Sequence, residues 1–484
     1  MSNKRKNILL ILSDQQRLDT VSAYGKDCIC RTPNIDALAA EGMKFENCFT
    51  TSAICAPSRA SVMTGLYPHK HGVVDNFTDI AEGTPLLGDC MRDAGYYCGY
   101  AGKWHVSPGK TPGECGFSDS KPFMGYAFPG SQVFPSLKFN QPPDNKPNYY
   151  EEYLKEKGFE NIDVSNGFLG DNPALQIQEM FCKHEGPVES TIEYFVADET
   201  CRLIDIAKEQ DKPFFLWANF WGPHSPSIVP EPYYSMYNPE DIPEHPSYCD
   251  TFEDKPYGYY LSEKMWGLGN YGWKGFQEIA ARYFGHCTMI DDMVGMMVQK
   301  LKDCGLYEDT IIIYSADHGD CLGAHKLIEK GAFTFDEIYR IPMVVKGLGT
   351  TDNESIVTLQ ELMPTLLDVA GVQPPKPVDG ESLLPLMTGE KESNGREHFY
   401  GEYHNHFYIA RQRMVRDLDY QFTFNESEKG ELYDLKKDPY QLHNVCYDPA
   451  YADIKKKYIE IMSQYMKETN DPAGVWFHRI KEFY

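Results

Sequence analysis

Polar side chains that could bind a metal or transfer a proton follow four predicted strands. They are Asp14 and Gln15 after a strand at 7–12, Lys103 and His105 after 96–101, His224 after 213–219, and Asp317 and His318 after 310–315. Because ligands of open α/β sheets bind beyond the carboxyl ends of the strands, we expect these side chains to share one site. Two carboxylates, an amide oxygen and an imidazole suit Ca²⁺, Mg²⁺ or Mn²⁺ better than structural zinc. Cations and imidazoles beside such a metal are suited to binding and cleaving a tetrahedral oxyanion ester.

A candidate nucleophile lies in the segment CAPSR, which begins at Cys55. Pro57 is typical of the first turn of a helix, so Cys55 is predicted to lie at a helix N-terminus, where free N–H groups stabilise an anion. Arg59 follows one turn later and returns to the same side of the helix. The Cys-x5-Arg spacing of a phosphatase loop is absent, which disfavours catalysis by an unmodified thiolate.

Short apolar runs alternate with amphipathic stretches, which is the pattern of a mostly parallel α/β sheet sandwiched by helices. The predicted strands span residues 7–12, 96–101, 213–219, 310–315 and 342–346. Helices are predicted at 279–301, from apolar spacings of three and four residues, and at about 189–207. The segments 117–187 and 223–275 are rich in Pro, Gly and aromatic residues, and they form either a substrate-facing rim or a packed insertion.

The composition of the chain changes after Gly371, where a Pro-rich turn region begins. Beyond it the predicted elements are β-like segments at 420–424 and 431–435 and a helix at about 453–467. We therefore expect a large catalytic α/β domain at 1–372 and a smaller α+β subdomain with an antiparallel sheet at 373–484. His404 and His406 of this subdomain are interpreted as part of a solvated loop, with contact to a substrate as the alternative.

The charge and apolar content of the chain exclude some classes of function. With 46 basic and 71 acidic residues the formal net charge is −25, which argues against nucleic acid as a partner. The apolar stretch at 8–12 is far shorter than the ~20 residues of a membrane span and is followed at once by polar residues, so neither a membrane segment nor a signal peptide is predicted. The 14 cysteines show no disulfide or zinc pattern, which favours a cytoplasmic location.

Five longer segments carry more information than single residues. CAPSR followed by ASVMTGLYPHKHG forms one motif, and GYYCGYAGKWH at 95–105 forms a second. Further segments are TPNIDALAAEGMKFENCF, ADHGDCLGAH and ELYDLKKDPYQLHNV. Together they resemble the signatures of the type I sulfatases, with Cys98 where the second signature usually has Thr, and they extend over nearly the whole chain. The resemblance implies an alkaline phosphatase-like fold and hydrolysis of a sulfate ester.

The resemblance also implies a nucleophile and a metal site. Cys55 would be converted by a formylglycine-generating maturase to Cα-formylglycine, and the hydrate of this aldehyde would attack sulfur. Asp14, Gln15, Asp317 and His318 match the ligands of one divalent metal, and the modified Cys55 would complete the set.

The same resemblance assigns roles to residues around the nucleophile. The assignments are Arg59 and Lys103 for holding the hydrated aldehyde, His105 for deprotonating it to expel sulfate, His224 and Lys330 for engaging the sulfate and the leaving oxygen, and Asn76 for a contact with the sulfate. Lys330 is preferred to Lys326 because it lies 13 residues after Asp317, as expected in this family.

Two positions depart from the commonest sulfatase pattern, because Gln15 replaces an Asp and His318 replaces an Asn. This pairing resembles the branch that contains choline sulfatases and phosphonate monoester hydrolases. Fewer carboxylates lower the negative charge at the metal, so Mn²⁺ and Mg²⁺ are alternatives to the expected Ca²⁺. Lys103 and His105 favour a sulfatase, with phosphonate monoester or phosphodiester hydrolysis as the alternative. The aromatic-rich loops and the second subdomain favour a sulfated oligosaccharide as the substrate, with a small sulfate ester as the alternative. A non-catalytic glycan-binding homologue is the third hypothesis, for a chain in which Cys55 is not matured.

Overall fold

The computed structural model describes residues 5–25, 27–123, 149–159, 164–165, 181–266, 272–406 and 410–484. Its strands, in chain order, are β1 (Asn7–Asp14), β2 (Met43–Phe49), β3 (Tyr97–Lys103), β4 (Asp119–Phe123), β5 (Val164–Ser165), β6 (Phe181–His184), β7 (Phe214–Pro223), β8 (Ser227–Val229), β9 (Thr310–Ala316), β10 (Arg340–Ile341), β11 (Met343–Lys346), β12 (Asn353–Thr358), β13 (Phe399–His404), β14 (Arg411–Arg416), β15 (Tyr420–Asn425) and β16 (Glu431–Asp434). Its helices are α1 (Pro33–Glu41), α2 (Cys55–Thr64), α3 (Pro68–His71), α4 (Leu87–Asp93), α5 (Tyr149–Lys157), α6 (Ile192–Lys208), α7 (Tyr257–Met265), α8 (Gly272–Asp303), α9 (Asp336–Tyr339), α10 (Leu362–Val369), α11 (Leu384–Met387), α12 (Ala452–Glu468) and α13 (Ala473–Ile480). Within these ranges no helix has both the length and the apolar content needed to cross a membrane.

One large sheet forms the centre of the fold. Its strand order is β10-β2-β11-β9-β1-β7-β3-β4, and β12 pairs with β2. The run from β9 through β1, β7 and β3 to β4 is parallel throughout. The predicted mostly parallel α/β fold is therefore confirmed. The predicted strand at 342–346 is present as β11, but it runs antiparallel to β9 and to β2, a strand that the sequence pattern did not predict.

Helices cover both faces of this sheet because the central strands are apolar on both sides. Every residue of β1 is buried. On one face Ile8, Leu10 and Leu12 pack in a cluster with residues of α2 and α10. On the other face Leu9 and Ile11 pack in a cluster with residues of α6 and α8. The alternation follows from the two-residue period of a strand and produces the predicted sandwich of helices around the sheet.

A second, antiparallel sheet lies in the C-terminal part of the chain, in the order β13-β14-β15-β16. The segments predicted at 420–424, 431–435 and 453–467 correspond to β15, β16 and α12. Side chains of this sheet, α12 and α13 form one apolar cluster, which also includes Tyr67 of the catalytic part. The antiparallel sheet is thus confirmed, whereas the boundary at 372/373 stays a prediction. The interpretation of His404 and His406 as a solvated loop was wrong, because the side chain of His404 is 11% exposed and His406 is 2% exposed.

The aromatic segment at 223–275 is described except for residues 267–271. Its Tyr233, Tyr234, Tyr237 and Tyr259 are all less than 10% exposed. Tyr257 and Tyr260 of the same segment are 58% and 43% exposed, so it is packed in part and both alternatives for it stay open. The other aromatic segment, 117–187, lies largely outside the described residues.

Candidate active site

The carboxyl ends of β9, β1, β7 and β3 lie side by side in the central sheet. Asp14 ends β1, Lys103 ends β3, and Asp317 directly follows β9. Pro223 at the end of β7 is the register partner of Asp14, so His224 emerges at the same edge. The structure thus brings together the four polar strand ends that the sequence pattern indicated.

Cys55, the first residue of α2, lies among these side chains. Its Sγ is 3.2 Å from Nε2 of His318 and 3.8 Å from Oδ1 of Asp14. One ligand atom each from Asp14, Cys55, Asp317 and His318 lies within 4.8 Å of the others, and all four residues are buried. Nδ1 of His318 is 2.9 Å from the carbonyl oxygen of Gly319, which leaves Nε2 facing the cluster. Two convergent carboxylates and an oriented imidazole fit a divalent cation.

Arg59 links the two carboxylates from one turn further along α2, and its side chain is completely buried. Its Nε donates to Oδ2 of Asp317 at 2.7 Å, and its Nη2 donates to Oδ2 of Asp14 at 2.9 Å. Its Nη1 donates to Oδ1 of Asn219 at 2.8 Å and to the carbonyl oxygen of Lys103 at 3.3 Å. A planar guanidinium with several donors suits this arrangement, which fixes the orientation of both carboxylates.

The position of the Cys55 sulfur is electrostatically favourable for an anion. Burial alone would raise the pKa of the Cys55 thiol, but Lys103, Lys330 and His318 outweigh burial and hold that pKa well below its ordinary value. Lys103 Nζ is also 2.6 Å from Oδ2 of Asp14, so this cation lies beside one of the candidate metal ligands. A negatively charged ester or nucleophile at this point would therefore be stabilised by at least two cations.

A second cationic group, Lys330, contacts Gln15 and His224. Nζ of Lys330 is 2.6 Å from Nε2 of His224 and donates to Oε1 of Gln15 at 2.5 Å. Nδ1 of His224 is 2.5 Å from the carbonyl oxygen of Ser225, so Nδ1 carries the hydrogen and Nε2 accepts from Lys330. Lys330 is therefore the donor of this pair and His224 the acceptor, next to the proposed metal ligands. The structure directs the Gln15 oxygen to Lys330, and its binding to a metal stays a prediction.

His105 and Asn76 complete the set of predicted residues. Burial lowers the pKa of His105 and Lys103 lowers it further, which favours the neutral imidazole that a general base requires. Oδ1 of Asn76 accepts from the backbone N–H of Ala56 at 3.1 Å, so Asn76 lies at the start of α2, next to Cys55. All of the predicted site residues are thus near one another, while their individual roles stay predictions.

Several residues of the site were not predicted from the sequence. They are Asn219, which binds Arg59; Asp320, which binds Gln15; and Glu329, whose Oε2 is 3.0 Å from Lys330 Nζ. His406, for which contact with a substrate was the alternative interpretation, has its Nε2 3.3 Å from Nδ2 of Asn76. Signals were present for two of them. Asn219 is an amide in an otherwise apolar strand, and Asp320 lies in the same ADHGD segment as two predicted ligands.

Comparison with known families agrees with this geometry. The family model described as Sulfatase matches residues 6–372, and the model described as N-sulphoglucosamine sulphohydrolase, C-terminal, matches residues 323–468. The chain therefore belongs to the sulfatase family and is an enzyme of the sulfuric ester hydrolase class. The predicted family and its alkaline phosphatase-like fold are confirmed.

Individual relatives show how wide the chemistry of similar proteins is. The chain is 30% identical over 496 residues to the multifunctional alkaline phosphatase superfamily protein PehA of Trinickia caryophylli, with 94% of each chain covered. It is 25% identical over 518 residues to the N-acetylglucosamine-6-O-sulfatase of Bacteroides thetaiotaomicron, which covers 97% of this chain and 88% of the relative. The solved structure of the phosphonate monoester hydrolase of Agrobacterium radiobacter matches with a TM-score of 0.80 and 25% identity over 96% of each chain.

Proposed function

We propose that this enzyme hydrolyses a sulfate monoester of a carbohydrate, with a formylglycine derived from Cys55 as the nucleophile and a divalent metal as cofactor. One observation carries the proposal: the first residue of α2 lies within 4.8 Å of the ligand atoms of Asp14, Asp317 and His318. A maturase acting on Cys55 is part of the proposal. The maturase, with an external oxidant, would oxidise the Cβ–SH group of Cys55 to an aldehyde with loss of the sulfur, and addition of water to this aldehyde would give a hydrate with two hydroxyls.

Asp14, Asp317 and His318 would hold the metal, together with Gln15. Ca²⁺ is the expected ion, and Mn²⁺ or Mg²⁺ fit the same oxygen-rich donors. When bound, the cation would stabilise negative charge on the ester and polarise the S–O bond.

The remaining polar groups would bind the ester and move protons. Lys103 and Lys330 would hold the nonbridging oxygens of the sulfate. Both lysines lower the pKa of the Cys55 thiol, so both stabilise negative charge at this position. Lys330 would engage the leaving oxygen with an ammonium hydrogen that His224 does not accept, and the contact with Nε2 of His224 would orient the ammonium group. His105, neutral because of burial and Lys103, would remove a proton from the hydrate to release sulfate and regenerate the aldehyde.

A rim residue supports a sugar as the group that carries the sulfate. Phe77 directly follows Asn76, is 63% exposed and stacks on His406 with ring centroids 6.1 Å apart. An exposed aromatic face beside a site for an anionic ester suits the apolar side of a sugar ring. The relative that is an N-acetylglucosamine-6-O-sulfatase is consistent with such a substrate.

Phosphonate monoester hydrolysis is the second candidate. It is favoured by the structural match to a phosphonate monoester hydrolase and by the presence of Gln15 and His318 in the metal site. A sulfate monoester and a phosphonate monoester are both monoanions with a tetrahedral centre, so charge and shape alone do not separate them.

A direct comparison of substrates tests the proposal. We would measure kcat/KM of the matured enzyme on an aryl sulfate, an aryl phosphonate monoester and a phosphodiester with the same leaving group, and then on a panel of sulfated mono- and disaccharides. The proposal predicts the highest kcat/KM for a sulfated sugar. Faster turnover of the phosphonate than of every sulfate ester would establish the second candidate instead.

A further inference from the structure

Asp320 is a buried carboxylate that reaches the candidate site through one residue, Gln15. Its Oδ2 accepts from Nε2 of Gln15 at 2.5 Å. Its Oδ1 accepts from the backbone N–H groups of Leu322 at 2.6 Å and Glu329 at 3.0 Å. Both carboxylate oxygens are therefore used as acceptors, and Asp320 is only 5% exposed. The mechanism proposed above gives this buried acid no part in the chemistry.

The backbone of Gln15 is held independently of Asp320. Its N–H donates to Oδ1 of Asp317 at 3.0 Å, and its carbonyl oxygen accepts from the hydroxyl of Tyr283 at 2.5 Å. Its φ of +64° lies in the left-handed region, which residues other than glycine adopt mainly where the surroundings enforce it. Because the backbone is fixed, the Gln15 amide can differ only in which neighbour its oxygen faces and which neighbour its NH2 group faces.

We propose that Asp320 is a positioning residue that fixes the orientation of the Gln15 amide, so that the amide oxygen faces Lys330 and the proposed metal site. A carboxylate only accepts hydrogen bonds and an ammonium only donates them, whereas a primary amide has one end of each kind. Asp320 at one end and Lys330 at the other are therefore both satisfied by a single orientation of Gln15. The inference rests on the proposed function only in taking the Gln15 oxygen as a metal ligand.

Two substitutions, Asp320→Asn and Gln15→Glu, each change one partner of the Asp320–Gln15 hydrogen bond, and together they exchange its donor and its acceptor. In Asp320→Asn the new amide oxygen accepts from the backbone N–H groups of Leu322 and Glu329. The new NH2 group then faces Nε2 of Gln15, so two donors meet and this hydrogen bond is lost. In Gln15→Glu a carboxylate faces the carboxylate of Asp320. In the double variant a Glu at position 15 accepts at both ends, from Lys330 and from the new amide, so every contact is restored without changing the net charge.

The experiment is a double-mutant cycle with two readouts. Melting temperatures in metal-free buffer report the contacts themselves, and calorimetric titration with Ca²⁺ and Mn²⁺ reports the effect on the metal site. Both single variants should melt below the wild type, and the double variant should melt above both of them. Asp320→Asn should bind the preferred cation about 10–100-fold more weakly, as for other residues that orient a metal ligand, and the double variant should recover this loss. Asp291→Asn is the matched control, because Asp291 is a buried carboxylate that accepts from the backbone of Asn34 and Ile35.

The outcomes separate this inference from the proposed function. A double variant that melts no higher than Asp320→Asn would overturn the inference, and so would an Asp320→Asn variant that binds the cation as tightly as Asp291→Asn does. If Asp320→Asn does not fold, the comparison of Gln15→Glu with the double variant decides, since only a shared contact makes the second substitution stabilising. A wild type that binds neither cation would count against the proposed function, and the metal-free melting temperatures would still test the inference.

Discussion

Replacing Arg59 by Lys tests whether the two carboxylates of the site depend on one buried cation. The guanidinium spans Asp317 at 2.7 Å and Asp14 at 2.9 Å from different nitrogens. A Lys side chain ends in a single nitrogen and cannot reproduce this span. Asp14 would keep Lys103 as a partner at 2.6 Å, whereas Asp317 would keep only the more distant imidazole of His318, at 3.8 Å.

The cost of this substitution can be estimated from the lost contacts. A hydrogen bond to a charged group contributes about 1.5–3 kcal/mol, and breaking a buried ion pair costs about 3–5 kcal/mol. Because one of the two carboxylates keeps a partner, we expect the free energy of unfolding of metal-free Arg59→Lys to fall by about 3 kcal/mol, the low end of that range. A divalent cation bound by Asp317 would replace the missing positive charge, so added metal should stabilise the variant more than the wild type.

Urea unfolding followed by circular dichroism, in EDTA and then with Ca²⁺ or Mn²⁺, measures both effects. Arg396→Lys is a control, because Arg396 is also largely buried and donates to both oxygens of the buried Glu361, at 2.7 and 3.3 Å, away from the candidate metal ligands. We expect a similar loss of stability in both variants and recovery by metal only in Arg59→Lys. An Arg59→Lys chain as stable as the wild type without metal, or equal recovery of both variants, would refute the reasoning.

Three further predictions concern the base, the rim and the contact between the two parts of the chain. His105→Gln should lower kcat on an aryl sulfate by about 10²–10⁴-fold, the usual contribution of a general base; steady-state kinetics would show it. Phe77→Ala should raise KM for a sulfated sugar with little change in kcat, while the exposed Val475→Ala should change neither. Glu402 raises the pKa of His69 although burial opposes it, and their contact is 2.5 Å long. A raised folded-state pKa stabilises at low pH, so His69→Gln should lower the melting temperature more near pH 5.5 than near pH 8.5, and equal losses would contradict this.

Much of the site could be predicted because strand ends carry polar residues after apolar runs. The sequences of three strands, β1, β7 and β9, are largely apolar. A polar residue lies at or just after the end of each strand: Asp14, His224 and Asp317, respectively. The spacing within CAPSR places Cys55 and Arg59 one helical turn apart, which the structure shows. These inferences need only the local period of the chain and the rule that parallel strands end at one edge of a sheet.

The rest of the site depends on contacts between distant segments, for which the sequence carries no local signal. Asp320 lies 305 positions from Gln15, and Asn76 lies 330 positions from His406. The buried position of His406 could not be predicted because GEYHNHFY has the polarity of a solvated loop, and only packing of the C-terminal sheet against the catalytic part buries it. The antiparallel pairing of β11 with β2 likewise joins segments that are distant in sequence.

The most direct test of the proposed chemistry is mass spectrometry of the Cys55 peptide from enzyme whose activity on a sulfate ester has been measured. Conversion of Cys55 to formylglycine makes the peptide about 18 Da lighter. Preparations made with and without a maturase would give a range of converted fractions. We predict that kcat per mole of protein rises in proportion to the converted fraction and extrapolates to zero for unmodified Cys55. Full activity in a preparation with only unmodified Cys55 would contradict the proposed nucleophile.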